Sequence, residues 1–177
     1  MASVEANVED TNLVKHMLAT EAIMRALARR FHEDEDEWGL VGLMHDIDVE
    51  LTADDPRLHS TLGADLAKDL GATPDMCHAI LCHNAVHGIP CHSLMSKALF
   101  CTDPLTGLIT AAALVRPDKS LSGVTTASIM KRFKEKRFAA GASRENIATC
   151  QQIELELEEF VSLGLEAIKD IAPDLGL

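Results

Sequence analysis

Aromatic side chains are nearly absent from this chain of 177 residues: they make up 3% of it, with one tryptophan and no tyrosine. A strand-rich core draws on aromatic and β-branched residues. The 47% hydrophobic fraction, drawn mainly from Leu, Ala, Ile, Val and Met, therefore favours helices. No uninterrupted apolar run of about 18 residues occurs, so no membrane-spanning helix is expected. The N-terminal MASVEANVEDTN has neither the basic nor the apolar region of a secretory signal. Five cysteines (Cys77, Cys82, Cys91, Cys101, Cys150), odd in number and loosely spaced, suit a reducing compartment. A cytoplasmic protein without disulfides is the expectation. Basic charge is also scarce. The net charge of −12 opposes a nucleic-acid polymer as partner, because the sequence-independent part of that affinity comes from Lys and Arg on phosphates.

What the sequence does have is helical periodicity. The spacing predicts helices over 11–30, 37–46, 57–70, 74–87, 94–115, 125–138 and 143–171. Gly71 is a stop, Thr73-Pro74-Asp75 a restart, and Pro104 a source of a kink in the fifth segment. The run Glu33-Asp34-Glu35-Asp36-Glu37 complements the positive end of a helix and lacks the ligand alternation of a calcium loop. The fold expected is all-α: a compact single-domain bundle of about six to seven helices over 11–177, with 1–10 as a flexible tail.

His45-Asp46 closes an apolar stretch, Gly39 to Met44, that should be buried. Two ionisable groups there need a shared partner, and a metal ion is the economical one. Imidazole with carboxylate suits Zn, Mn, Fe, Ni or Co or, with more oxygen ligands, Mg. The alternative is a hydrogen-bonded helix terminus.

The segment Gly42-Leu43-Met44-His45-Asp46-Ile47-Asp48 resembles the signature of the HD superfamily of metal-dependent phosphohydrolases. The resemblance implies His16, His45, Asp46 and Asp103 as metal ligands, on helices within 11–116, with the helices of 125–171 as packing. His59-Ser60-Thr61-Leu62-Gly63 and the segment Ala79 to Asn84 are similar to the steps that supply a second ion in the binuclear branch of that superfamily. His59 and His83 are thus candidates for a second metal or for proton donation. Asn84 stands where the branch has another His, and no GYP tripeptide follows. One or two divalent ions per chain are the resulting expectation.

Asp48 is read either as a further catalytic carboxylate beside Asp46 or as a loop acid, and Glu50 as a solvated loop acid. The histidines and cysteines between 77 and 92 contain no CxxC and lack zinc-site spacing, so the cysteines are read as small core residues. Eight of the 16 basic residues lie between Arg116 and Arg144 against two acids. Arg116 and Lys119 are the candidates to grip a substrate phosphate, and Lys131 to Arg137 reads as a solvated face. The function the resemblance implies is metal-assisted hydrolysis of a small phosphoester, with a nucleotide as one candidate. The rival readings are a non-catalytic regulatory module that binds metal or nucleotide, and a di-iron oxygenase. Ile153, Leu155, Leu157, Phe160, Val161 and Leu165 are candidates for the core or for a homodimer interface.

Overall fold

Asp10 begins the first helix, α1 (Thr11–Phe31), by accepting from the backbone N–H of Asn12, and His32 ends it in the left-handed region. Asp34 caps α2 (Glu35–Met44) with bonds from Asp36 and Glu37 N–H. This side-chain cap starts α2 two residues earlier than the spacing predicts. The acidic run thus works as helix-start chemistry.

The computed structural model describes residues 7–177, and among them all regular structure is helical. α3 (Thr61–Asp69), α4 (Pro74–His83), α5 (Leu94–Leu114), α6 (Thr126–Phe133), α7 (Arg144–Ala148), α8 (Leu157–Asp170) and α9 (Ala172–Leu175) follow, with 3-10 turns at Ala85–His87 and Thr149–Ile153. The elements outnumber the six or seven expected because the segment 143–171 is not one helix. Glu154 sits at φ 58° and breaks it before α8 begins. Likewise α3 starts at Thr61 because Ser60 is left-handed, and α4 stops at His83 because Asn84 is extended.

α5 is apolar nearly all round and lies at the centre. It packs on α1, α4, α6, α7 and α8, and buries Leu99, Leu105, Leu108 and Ile109 completely. Pro104 is accommodated inside it. One continuous core joins these residues to Ile23 and Leu27 of α1 and Phe160 of α8; burying Phe160 alone is worth roughly 1.5–3 kcal/mol. Ile153, Leu155, Val161 and Leu165 are buried in that same core and Leu157 packs against it.

A second cluster corrects the expectation of a loose tail. Val8 is buried with Met17, Leu43 and Ile47, while the N–H groups of Glu9 and Asp10 donate to the carboxylate of Glu50. Glu50 is therefore an anchor for this segment, where a solvated acid was expected. The rest of the expected tail, residues 1–6, lies outside the described residues. No described helix is long and apolar enough to cross a membrane.

Candidate metal centre

Gly42 sets the distance between the first two helices that position candidate ligands. A Cβ there would come within 2.9 Å of backbone atoms of Thr20 and Glu21, so α1 and α2 meet backbone to backbone. His16 on α1 and His45 just beyond α2 consequently approach Nε2 to Nε2 at 3.1 Å. Asp46 Oδ2 lies 3.4 Å from His16 Nε2 and 3.3 Å from His45 Nε2. Asp103, carried by α5, places Oδ1 3.2 Å from His16 Nε2 and 3.9 Å from His45 Nε2.

The other oxygen of Asp46 faces a second pair of imidazoles. Its Oδ1 is 3.4 Å from His59 Nε2, before α3, and 3.4 Å from His83 Nε2, at the end of α4. Two donor groups result, His16–His45–Asp46 and Asp46–His59–His83, sharing one carboxylate. Ligands about 2.0–2.2 Å from a common ion stand roughly 3.0–3.5 Å from one another, which is the spacing of the closer donor pairs here.

The opposite side of each ring fixes its proton. His45 Nδ1 donates to Gly42 O at 2.8 Å and His83 Nδ1 to Ile80 O at 2.6 Å, since a carbonyl can only accept. The Thr106 hydroxyl donates to Asp103 O at 2.7 Å and accepts from His16 Nδ1 at 2.8 Å. His59 Nδ1 donates to Asp48 Oδ1 at 2.9 Å. In the neutral rings all four Nε2 lone pairs therefore converge with two carboxylates, an arrangement that requires a cation. His45 is fully buried and His83 nearly so, while the side chains of His16 and Asp103 are about a quarter and a third exposed, which puts the open side of the cluster there.

Without a metal, a proton fills that role. Burial disfavours the His16 imidazolium, but hydrogen bonds with Asp103 and Asp46 outweigh it and carry the pKa from 6.5 to about 10. His83 is also raised, with burial opposing and Asp46 prevailing. Burial likewise pushes the carboxyls of Asp46 and Asp103 upward. The facing imidazoles prevail and hold both below the ordinary carboxylate range.

Asp48 lies in the turn segment after α2, but it is not a solvated acid, and both of its oxygens are engaged away from the shared donor atoms. Its side chain is wholly buried; Oδ1 accepts from His59, and Oδ2 accepts from the N–H groups of Ser60 and Gly63, both at 2.8 Å. All three of its side-chain hydrogen bonds come from the loop of His59 and the start of α3, so it braces His59, where a catalytic carboxylate or a loop acid was expected. A Cβ at position 63 would stand 3.1 Å from the Asp48 carboxylate, so glycine suits the close approach there. Asn84 braces the same loop from the other side. Its amide donates to His59 O, which also accepts from His87 Nε2 at 2.7 Å, and its oxygen accepts from Val86 N–H.

Arg116 and Lys119 are not brought to the cluster. They follow the far end of α5, thirteen and sixteen residues beyond Asp103, and thirteen helical residues span roughly 20 Å. Arg116 pairs there with Asp118 and donates to Gly123 O. Thr106 was not singled out from the sequence. Its signal is the spacing Asp103-x-x-Thr106, which puts a hydroxyl one turn from a candidate ligand. Cys82, Cys101 and Cys150 are buried, and no cysteine belongs to either donor group among the described residues.

Residues 13–113 match the family model of the HD domain. Ribonuclease Y of Oleidesulfovibrio alaskensis is 30% identical over 96 residues, which are 54% of this chain and 18% of that protein. Ribonuclease Y of Sulfurovum sp. is 28% identical over 163 residues, 90% of this chain and 32% of the relative. The chain thus spans at most about a third of the length of these curated relatives. No solved structure matches it.

Proposed function

This chain belongs to the HD-domain family, and on that premise we propose that it is a metal-dependent phosphohydrolase acting on a small phosphoester of nucleotide type. The observation that carries the reading is the pair of imidazole sets facing the two oxygens of Asp46, each ring with its proton held on Nδ1. His16, His45, Asp46 and Asp103 would hold one divalent ion, and Asp46, His59 and His83 a second. Bound there, the ions would supply Lewis acidity towards the phosphoryl group and a water of near-neutral pKa.

The chain's own contribution is orientation. Thr106, Asp48 and the carbonyls of Gly42 and Ile80 keep each Nε2 aimed inward. His16 and Asp103 border an opening that also touches Pro104, Gly107 and Ala142, through which a phosphate would enter. If a single ion is bound, His59, a fifth exposed, is the ring able to pass a proton to the leaving oxygen.

The relatives' name favours RNA as a second reading. The net charge of −12 argues for a small substrate, because a polymer's affinity needs basic surface. The test is elemental analysis of protein purified without chelator, beside Asp46→Asn, followed by assay on mononucleotides and on a single-stranded RNA. Between one and two metals per chain and release of phosphate from mononucleotides are expected, both lost in the variant. Fewer than about 0.2 metal per chain after attempted loading would overturn the reading. Cleavage of RNA with no turnover of mononucleotides would replace the substrate class.

A further inference from the structure

A cavity of about 320 Å³ opens beside His16, between the start of α1 and the second half of α5. It is a different opening from the one at Asp103, but Gly107 and His16 line both. Gly107 has no packing reason to lack a side chain: a Cβ there would meet nothing closer than Ala142 Cβ at 4.0 Å. An alanine would be the better helix former at this position in α5. The bare backbone of Gly107 borders both openings and leaves room in each.

Besides His16, three polar side chains line the cavity, the amide of Asn12, the ammonium of Lys15 and the hydroxyl of Thr110, and among the described residues none of these three makes a side-chain hydrogen bond or ion pair. Leu114 and Leu175 supply an apolar wall. Gly176, at φ 70°, passes the ammonium so closely that a Cβ would stand 3.3 Å from Lys15 Nζ. An uncommitted cation with two neutral hydrogen-bonding groups beside an apolar wall has the chemistry of an anion site joined to a site for an organic body.

We propose that this cavity receives the leaving-group half of the substrate, and that the substrate class is a phosphoester carrying a second anionic group, a phosphate or a carboxylate, which Lys15 binds with help from Asn12 and Thr110. The inference rests on the phosphohydrolase reading of the metal centre. In the reaction a water oxygen bonds to phosphorus, the ester P–O bond breaks, and the freed alcohol takes a proton and leaves through the cavity with its second anion still attached. Lys15 and Thr110 set specificity and touch no reacting atom.

Matched substrates test this. Adenosine 3′,5′-bisphosphate against adenosine 5′-phosphate tests a second phosphate, and 4-carboxyphenyl phosphate against phenyl phosphate tests a carboxylate. In at least one pair the doubly anionic member should have a kcat/KM at least tenfold higher, carried mainly by KM. Lys15→Met should erase that advantage while leaving the singly anionic member within threefold, and Lys15→Arg should keep most of it. Equilibrium dialysis of the leaving alcohols on metal-loaded protein gives a readout apart from turnover. Adenosine 3′-phosphate should bind at least fivefold more tightly than adenosine in the wild type and equally in Lys15→Met. Equal rates within both pairs, or an advantage that survives Lys15→Met, would overturn the inference and leave the hydrolase reading standing. Turnover of none of the four esters, with the Lys15-dependent binding difference intact, would instead remove the hydrolase reading and keep the anion site.

Discussion

Asp46 gives one oxygen to His16 and His45 and the other to His59 and His83, so a single carboxylate couples two donor sets. Protons and metal ions compete for the same lone pairs. In metal-free protein the pKa of His16 lies above its ordinary 6.5, at about 10. The stability it contributes is therefore complete below about 6.5 and is lost as pH rises towards 10. Thermal melts of chelated protein should show a decline over that window which His16→Gln lacks. Metal uptake displaces the same proton, so apparent affinity should rise with pH by up to about tenfold per unit for one proton released. An affinity independent of pH between 6.5 and 8 would contradict protonation of His16 in the metal-free state.

Asp48 makes a separate prediction at the same scale. Asn in its place keeps one acceptor but turns a donor towards the ring of His59 or towards the N–H groups of Ser60 and Gly63. Metal affinity at the His59–His83 set should fall by about 10–100-fold while the His16–His45 set keeps its ion. Loading should drop from two equivalents to one in a titration, with a stability loss of about 1–3 kcal/mol from the unpaired buried groups. Two equivalents retained at wild-type affinity would show that Asp48 does not position His59.

At the level of elements, the cluster depends on how closely α1 passes α2. Gly42 permits that approach, and Gly42→Ala should force the two helices apart, at a cost of about 1–3 kcal/mol in denaturant unfolding. The His16–His45 separation should widen with it, so metal affinity should fall further than stability alone explains. The loop that carries His59 is braced differently, by Asp48 from below and by Asn84 and His87 on its carbonyl. The His-x-x-x-Gly spacing acquires a physical reason there: Gly63 offers its N–H to Asp48 at a point where a Cβ would crowd the carboxylate.

For the molecule as a whole, the candidate ligands come from α1, the end of α2, the loop before α3, the end of α4 and the middle of α5, so an ion at this centre would tie most of the fold together. Free metal at 100 times its Kd adds about 2.7 kcal/mol. For a domain of this size that corresponds to a rise in Tm of roughly 5–11 °C over chelated protein. Scanning calorimetry before and after metal addition measures it, and no shift would mean the ion does not bind the folded form preferentially. The helical class and the His45-Asp46 doublet were legible in the sequence, because apolar spacing and a pair of ionisable groups closing an apolar run are properties of neighbouring residues. Helix ends set by Ser60, Asn84 and Glu154 were not, since φ/ψ at a single position depends on what packs around it. Arg116 shows the same limit. It was a candidate to grip the substrate phosphate, yet the helix that carries Asp103 sets it roughly 20 Å along the axis from that residue. By itself the sequence determined the helical class and the kinds of candidate donor, while His45, Asp46 and His59 lie just outside the helices expected to carry them. Only tertiary structure decided that Asp46 faces two ways, that Asp48 turns to His59, and that Lys15 borders a cavity. Each of these depends on side-chain direction across elements distant in the chain, and packing alone fixes that.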